Sequence, residues 1–266
     1  MCQAPRQGWP RLGKIHLKKK STSRIPFENT LGHLEKSLSM DLKNDRELSD
    51  SPVVANCRMN RERELTGGNS YARDLGLAPV DFLRARLENR KTVRWLDLCC
   101  GRGRALIEAA WDLSDEAERV QITGIDLVGM FDPADLPNLR LIEISIENWI
   151  PAGSFDLITC VHGLHYVGDK LGTLAKAVSW LVDDGCLVAH LDQKNLKHDR
   201  HSDFGRVAVR HLRESGLTYD SRKRIVRCES RREMESPWLY RGADDTAGPN
   251  FTGQPAVDSW YADPAD

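Results

Sequence analysis

From Val93 onward, short apolar runs alternate with amphipathic stretches that have helical spacing. The apolar runs read VRWLDL, VQITGIDL, LRLIEIS, FDLITCV and CLVAHLD, and the helical stretches between them include ALIEAAWDL and LGTLAKAVSWLV. Parallel strands are joined by crossovers, usually helices, and strands covered on both faces are almost continuously apolar. The alternation therefore predicts an α/β fold in which helices cover both faces of a mostly parallel sheet.

The segments on either side of this alternation also carry local signals. Apolar residues at helical spacing after Pro79 predict a helix over 79–89. A second helix is predicted over 204–214, followed by strands in SRKRIVRCE and PWLYRG. Because these two strands are close in sequence, we expect them to pair antiparallel at one edge of the sheet.

Composition divides the chain into three parts. Residues 1–27 carry seven Lys or Arg residues and no acid, and polar sequence without periodicity continues to about residue 64. We expect residues 1–64 to be a basic, disordered N-terminal extension and residues 65–245 to form the folded domain. Residues 246–266, which are rich in Gly and Pro, are expected to be a C-terminal tail.

The overall composition is that of a globular protein. Apolar residues make up 40% of the chain and the formal net charge is -1, which argues against the basic excess of a nucleic-acid-binding domain. No apolar run approaches the roughly 20 residues that a membrane span requires, so we expect a cytoplasmic protein. The seven cysteines have neither disulfide-framework nor CxxC spacing, so we expect them to be reduced, and we expect no metal site.

The loop after the first apolar run carries the most specific motif. Asp97 ends the run, and Gly101 and Gly103 follow it before a helical stretch. Glycines let the backbone turn sharply and approach a ligand closely, and a helix N-terminus presents amides to that ligand. A dinucleotide fingerprint has a third glycine where Leu106 stands, which disfavours a nicotinamide-dependent oxidoreductase.

The motif Asp97-Leu98-Cys99-Cys100-Gly101-Arg102-Gly103 resembles the first motif of the class I S-adenosylmethionine-dependent methyltransferases, which reads D/E-x-G-x-G-x-G. Cys99 stands in place of the first glycine. Segments over residues 65–243 are similar to the family's later motifs, including FDLITC and the LHY that follows it. The resemblance implies a Rossmann-like three-layer α/β/α sandwich whose seven-stranded sheet is mostly parallel with an antiparallel edge strand. It also implies an N-terminal helical lid and S-adenosylmethionine as cofactor.

The resemblance further implies which residues bind the cofactor. Asp126 ends the second predicted strand, where nucleoside-binding α/β proteins place an acid that hydrogen-bonds the ribose hydroxyls. Ser145-Ile146 stands where the family usually has Asp-Ala, which leaves the contact to the adenine amine to Glu147 or to a main-chain group. The full set expected to bind the cofactor is Tyr71, Asp97, Cys99, Gly101, Gly103, Asp126, Leu127, Ile146, Glu147 and Cys160.

Two histidines after the fourth predicted strand are the candidate catalytic residues, because the family places groups near the methyl there. We expect His162 to act as a general base or to orient the acceptor, since imidazole titrates near neutral pH. His165 is the second candidate. The alternative is that His165 packs and caps the following helix, and that His162 lines the pocket without proton chemistry.

These features predict an enzyme that transfers a methyl group from S-adenosylmethionine to a small-molecule acceptor. Neither an NPPY-like tetrapeptide nor a Pro-Cys nucleophile follows the fourth strand, so we expect no nucleic-acid acceptor. We expect a monomer or homodimer without a membrane partner. The alternatives are a non-catalytic cofactor-binding protein and a methyltransferase that acts on a macromolecule.

Overall fold

Helices and strands alternate along the chain as the sequence pattern predicts. The structure, a computed structural model, describes residues 41–55 and 62–264, which belong to one unit, Met40–Asp266. The α-helices are α1 Asp45–Ser49, α2 Pro52–Ala55, α3 Tyr71–Leu75, α4 Pro79–Leu87, α5 Arg104–Asp112, α6 Lys170–Ser179 and α7 Phe204–Glu214. Short 3-10 helices span Ser114–Glu116, Gly163–Tyr166 and Gln193–Asn195. Among the described helices, none is long and apolar enough to cross a membrane.

The strands form two sheets. They are β1 Val93–Leu98, β2 Val120–Asp126, β3 Leu139–Glu143, β4 Phe155–Cys160, β5 Leu181–His190, β6 Leu196–His198, β7 Thr218–Asp220, β8 Ile225–Cys228, β9 Leu239–Asp244 and β10 Asp258–Ala262. The larger sheet has seven strands in the order β3-β2-β1-β4-β5-β8-β7, and the smaller has the order β6-β10-β9.

The larger sheet is mostly parallel. β3, β2, β1, β4 and β5 pair in parallel, whereas β8 runs antiparallel to both β5 and the outer strand β7. α5 and α6 form crossovers between parallel strands, and β7 and β8 are joined by a short turn, which antiparallel neighbours allow. The expected α/β fold with a seven-stranded, mostly parallel Rossmann-like sheet is confirmed.

Both faces of this sheet are buried. Trp95 belongs to one apolar cluster together with residues of α4 and α5, and Leu96 belongs to another together with residues of α6 and α7. Successive side chains of a strand point to opposite faces, so these two neighbours in β1 are both completely buried. α4 and α7 occupy the helical spans predicted over 79–89 and 204–214, with α4 ending two residues earlier.

The expected antiparallel pairing of the strands in SRKRIVRCE and PWLYRG is wrong. β8 lies in the first of these segments, and both of its edges are occupied, by β5 and by β7. β9 lies in the second segment and pairs with β10 in the smaller sheet. The sequence pattern missed β7, whose three residues, Thr218–Asp220, are too few to show an alternation.

The smaller sheet includes residues expected to form a C-terminal tail. β10 pairs in parallel with β6 and antiparallel with β9. Its Tyr261 is completely buried. The Tyr261 hydroxyl accepts a hydrogen bond from the Leu171 amide at 3.0 Å and donates one to Asp169 Oδ1 at 2.9 Å, at the start of α6. The boundary expected at residue 245 therefore falls between two paired strands.

The described part of the expected N-terminal extension also packs onto this unit. Lys43 and Ala243 of β9 exchange backbone hydrogen bonds of 2.8 and 2.9 Å. Leu48 of α1 is 1% exposed and lies in an apolar cluster with Ala243. These residues belong to the folded unit, although we expected the domain to begin at residue 65. The rest of the expected extension, residues 1–40 and 56–61, lies outside the described residues.

We predict that Tyr261→Ala lowers the free energy of unfolding by about 3 to 5 kcal/mol, because it removes a buried aromatic ring from the core. Tyr261→Phe keeps the ring and loses only the hydroxyl, which is expected to cost about 1 to 3 kcal/mol. Urea denaturation followed by circular dichroism measures both changes. Trp111→Ala, at a side chain that is 62% exposed, is the control, with an expected change within about 0.5 kcal/mol. A Tyr261→Ala protein as stable as the wild type would contradict a structural role for β10.

Candidate functional site

The candidate site lies at the carboxyl ends of the parallel strands, where β1 runs between β2 and β4 and the strand order reverses. Ligands of open α/β sheets bind at this switch point. A pocket that is partly open to solvent lies here. Its lining residues are Asp45, Leu48, Val54, Cys99, Gly101, Asp126, Leu127, Ile144, Ser145, Ile146, Glu147, Val161, Gly163, Tyr166, Val167, Gly168 and Thr173.

The loop after β1 passes through left-handed backbone conformations. Gly101 and Gly103 have φ angles of 60° and 76°, and Cys99 also has a φ of 60°. Glycine adopts this conformation readily, whereas a residue with a Cβ is strained by roughly 1–2 kcal/mol. The geometry thus explains why the family motif has a glycine at the position of Cys99. Gly103 faces the sheet, since an added Cβ would lie 2.8 Å from Cδ1 of Leu141.

Asp126 holds this loop from the end of β2. Its carboxylate accepts a hydrogen bond from the Gly101 amide at 2.9 Å and another from the Val128 amide at 3.0 Å. The side chain lines the pocket although it is only 8% exposed. Each carboxylate oxygen has two lone pairs, so the group that fixes the loop is also able to accept hydrogen bonds from ligand hydroxyls.

The pocket is acidic. Asp45, Asp126 and Glu147 contribute carboxyl groups, and none of the residues found to line the pocket is Lys, Arg or His. Burial and the neighbouring Asp45 carboxylate raise the pKa of Glu147, which is the effect expected where negative charges are concentrated. The lining therefore favours a cationic or neutral ligand over an anionic one.

The residues predicted to bind a cofactor divide into two groups. Those that line the pocket are Cys99, Gly101, Asp126, Leu127, Ile146 and Glu147. Those outside the lining are Tyr71, Asp97, Gly103 and Cys160. Tyr71, Asp97 and Cys160 are buried, and their contacts show that they support the loops of the site.

Asp97 joins β1 to two neighbouring segments. Tyr71 Oη of α3 donates to one carboxylate oxygen at 2.7 Å, and Thr159 Oγ1 of β4 donates to the other. Trp95 Nε1 donates to the same Thr159 hydroxyl at 2.8 Å. Burial raises the pKa of Asp97 to about 7, and the two hydrogen bonds that it accepts oppose this rise. Asp97 therefore acts as a buried connection beneath the loop after β1.

The loop after β4 approaches the loop after β1 more closely than a side chain at Gly163 would allow. A Cβ added to Gly163 would lie 2.3 Å from Cβ of Cys99 and 2.9 Å from Sγ of both Cys99 and Cys160. Both cysteines are free. A hydrogen bond with Cys160, together with burial, raises the pKa of the Cys99 thiol, which makes Cys99 a poor nucleophile at neutral pH.

The two candidate catalytic histidines lie in a buried cluster beside the pocket and are not part of its lining. His162 stacks on His190 with ring centroids 3.9 Å apart, and its Nδ1 lies 3.4 Å from Nε2 of His165. Burial lowers the pKa of His162 to about 3, that of His190 to about 2 and that of His165 well below its usual range. His162 therefore does not titrate near neutral pH, as its residue type led us to expect, because the imidazoles share a desolvated space.

Asp45, Leu48 and Val54, which α1 and α2 contribute to the pocket, were not predicted from the sequence. A local signal was present. The Asn44 side chain accepts a hydrogen bond from the Glu47 amide at 3.1 Å, and the Glu47 carboxylate accepts one from the Asn44 amide at 2.8 Å, which is a capping box. Helices of five and four residues are too short to be stable alone or to show an apolar period.

One group of described residues has the composition of a metal site, although we expected none. Ligand atoms of His198, His201 and Asp263 lie within 4.8 Å of one another. The Arg200 amide donates to Nδ1 of His198 at 3.0 Å, and burial lowers the pKa of this histidine. Its neutral ring therefore carries the proton on Nε2, which lies 3.4 Å from Asp263 Oδ1. In this tautomer Nε2 has no lone pair for a metal ion.

We predict that Asp97→Asn changes the pH dependence of stability. Asp97 binds more protons in the folded than in the unfolded state, so its stabilising contribution is lost as the pH rises from 3.8 through about 7. Asparagine does not titrate, and its amide is able to accept from Thr159 and donate to Tyr71. We subtract the free energy of unfolding of the variant from that of the wild type. This difference should be lower at about pH 7.5 than at about pH 5, by about 2 kcal/mol. Urea denaturation at both pH values measures this difference, and a difference that is the same at both would contradict the raised pKa.

We also predict that Gly163→Ala destabilises the site by about 1 to 3 kcal/mol, because the new Cβ has to displace the backbone around Cys99. Gly68→Ala is the matched control, since an added Cβ there has no atom within 4 Å. Thermal and urea denaturation of the two variants measure the contrast. Equal stability of Gly163→Ala and Gly68→Ala would show that the two loops are not in tight contact.

Several solved structures are similar to the chain at low sequence identity. One is the plantazolicin methyltransferase BpumL in complex with a pentazolic desmethylPZN analog and SAH, at 18% identity and a TM-score of 0.40, covering 64% of this chain and 63% of that chain. A second is the DszA carbon methyltransferase, at 18% identity and a TM-score of 0.38, covering 46% and 36% of the two chains. A third is SAM-bound CalS10, an amino pentose methyltransferase from Micromonospora echinaspora involved in calicheamicin biosynthesis, at 23% identity and a TM-score of 0.31, covering 42% and 47%. The chain thus spans less than two thirds of the length of each of these proteins.

Comparison with protein families gives a match over most of the folded unit. No curated protein sequence matches the chain. The methyltransferase-domain family matches residues 70–233, which include α3 to α7 and β1 to β8 and leave out α1, α2, β9 and β10. The match covers more than half of the chain and contains the loop after β1 and Asp126. As its resemblance to the class I S-adenosylmethionine-dependent enzymes implied, the chain belongs to the methyltransferase-domain family.

Proposed function

We propose that the protein transfers a methyl group from S-adenosylmethionine to a small-molecule acceptor. The observation that carries the proposal is the pocket at the switch point of the sheet. It combines Asp126, at the ribose position of nucleoside-binding α/β proteins, with an acidic lining in which none of the described residues is basic. The match of residues 70–233 to the methyltransferase-domain family supports the same reaction class.

The charge of the pocket distinguishes two nucleoside cofactors. S-adenosylmethionine carries a cationic sulfonium, an ammonium group and a single carboxylate, so it is a net cation, and it has no phosphate; the carboxyl groups of the lining therefore favour it. A nicotinamide dinucleotide carries two phosphates, which the same carboxyl groups repel. Leu106, at the position of the third glycine in the dinucleotide motif, supports this choice.

Methyl transfer from a sulfonium requires little chemistry from the protein. The acceptor nucleophile forms a bond to the methyl carbon while the carbon–sulfur bond breaks, and the electron pair of that bond stays on the sulfur of S-adenosylhomocysteine. The protein has to hold the two reactants in line. We assign the methyl end of the cofactor to the loop after β4, which contributes Val161, Gly163 and Tyr166 to the lining.

We propose that His162 and His165 position the loop after β4 as neutral residues and do not themselves contact the acceptor, because both are buried and neither lines the pocket. They flank Gly163 and Leu164 in the loop after β4, which places them beside the proposed methyl end. A histidine whose pKa is about 3 is a weak base at neutral pH. We therefore propose an acceptor that is already nucleophilic at the working pH, or one that loses its proton to water.

Isothermal titration calorimetry with S-adenosylmethionine, S-adenosylhomocysteine and NAD tests the cofactor. We expect both adenosyl compounds to bind in the micromolar range and NAD not to bind. Failure of both adenosyl compounds to bind would overturn the proposal. A metabolite-library screen for S-adenosylhomocysteine release tests the acceptor, and release only with a protein or a nucleic acid would replace the small molecule by the macromolecular alternative.

We predict that Asp126→Asn weakens binding of S-adenosylhomocysteine by roughly 10- to 100-fold, because the variant loses a charged hydrogen-bond acceptor for ribose hydroxyls. Asp184→Asn is the matched control, since Asp184 is an exposed acid of β5 that pairs with Arg86 and Arg90 and does not line the pocket. Calorimetry measures the affinities, and thermal denaturation checks that both variants are folded. Unchanged affinity in Asp126→Asn would mean that the ribose lies elsewhere.

A further inference from the structure

One wall of the pocket comes from outside the part of the chain that matches the methyltransferase-domain family. Asp45 and Leu48 of α1 and Val54 of α2 line the pocket, whereas the family match begins at residue 70. Asp45 is the one residue of this wall whose side chain carries a charge. Its position in the lining is therefore a feature of this chain that lies outside the family match.

The order of the strands determines which end of the cofactor this wall faces. The following step rests on the proposed function, with the ribose at Asp126 and the methyl end at the loop after β4. Because the strand order is β3-β2-β1-β4, a ligand whose ribose lies at the end of β2 and whose methyl points toward β4 has to place its base toward β3. Residues 144–147, in the segment after β3, line that end of the pocket.

Asp45 is fixed at this same end. Ser145 Oγ donates a hydrogen bond to Asp45 Oδ2 at 2.5 Å. Asp45 Oδ1 lies beside Gly168, another residue of the lining, since it would be 2.9 Å from a Cβ added there. α1 is itself held by its capping box and by the buried side chain of Leu48. The carboxylate is therefore preorganised, and a ligand that binds it does not have to order a mobile side chain.

Glu147 is the other carboxylate at this end, and its setting is different. Residue Glu147 is more exposed to solvent than Asp45, which is half-buried, although part of the Glu147 carboxyl group is desolvated. The hydrogen bonds at Glu147 are formed by its main chain, whose amide donates to Ser145 Oγ and whose carbonyl accepts from Lys176 Nζ. Ser145 orients the Asp45 carboxylate, whereas no hydrogen bond to the Glu147 carboxylate is found among the described residues. A preorganised acceptor favours Asp45 as the residue that recognises the base.

We propose that Asp45 determines specificity for the base of the cofactor by accepting a hydrogen bond from the exocyclic amine of adenine. The amine is a donor, and an ionised carboxylate is an acceptor only. Ser145, which stands where the family resemblance led us to expect an acid, is then a positioning residue that orients the Asp45 carboxylate. This replaces Glu147 as the expected contact to the adenine amine.

The test compares S-adenosylhomocysteine with S-inosylhomocysteine, in which a carbonyl oxygen replaces the exocyclic amine. Calorimetry gives the ratio of the two dissociation constants for the full-length wild type and for Asp45→Asn, Glu147→Gln and Glu47→Gln. Asparagine keeps the oxygen that accepts from Ser145 and introduces an amide donor, which suits the carbonyl of the inosyl compound. Glu47→Gln is the matched control, because it removes one negative charge from the same helix outside the pocket lining, and glutamine keeps an oxygen that accepts from the Asn44 amide in the capping box.

We expect the wild type and Glu47→Gln to prefer the adenosyl compound by at least roughly tenfold, and Asp45→Asn to lose or reverse this preference. The inference is overturned if Asp45→Asn keeps the wild-type ratio, if Glu147→Gln alone abolishes it, or if the wild type binds both compounds equally. Failure of the wild type to bind either compound is a different result, because it overturns the proposed function and with it this inference.

Discussion

The contact between the loop after β1 and the loop after β4 determines where the pocket lies. It is so close that Gly163 has no room for a side chain next to Cys99. Beneath this contact, the buried carboxyl group of Asp97 connects β1 to β4 through Thr159. On the other side, the Asp126 carboxylate holds the same loop by the Gly101 amide. The loops of adjacent strands are thereby held against one another, and the pocket is the space between them.

The smaller sheet supports the wall of the pocket that α1 forms. Asp245, directly after β9, accepts hydrogen bonds of 2.6 Å from both Lys43 Nζ and Ser51 Oγ. These bonds tie the chain on either side of α1 to β9, which is itself held by β10 and so by the buried Tyr261. The C-terminal strands therefore support the N-terminal helix that carries Asp45. α1 and α2 complete a site whose centre belongs to the matched family, and the C-terminal strands support α1 from outside the pocket.

A residue's place in the pocket follows from the sequence where its position in a strand determines its surroundings. Asp126 ends a parallel strand beside the switch point, so its place at the pocket followed from the strand pattern. Asp97 also ends such a strand, but its side chain points into the core toward Tyr71 and Thr159. A sequence motif contains residues that contact the ligand and residues that only support the loop. The spacing of the motif does not distinguish between them. The low pKa of His162 was also not predictable from the sequence, because the desolvation of its imidazole depends on the packing of His165 and His190 around it.

By itself, the sequence determined the parallel α/β core, the loop after β1 and the acid at the end of β2, because all three depend on local periodicity, on glycine conformations and on chain order. Tertiary structure alone decided that Asp45 reaches the pocket, that β10 is part of the fold and that the histidines are neutral. Each of these depends on contacts between residues far apart in the chain. α1 and β10 are too short to reveal themselves by their own apolar patterns, and they are stable only because each packs on the rest of the molecule.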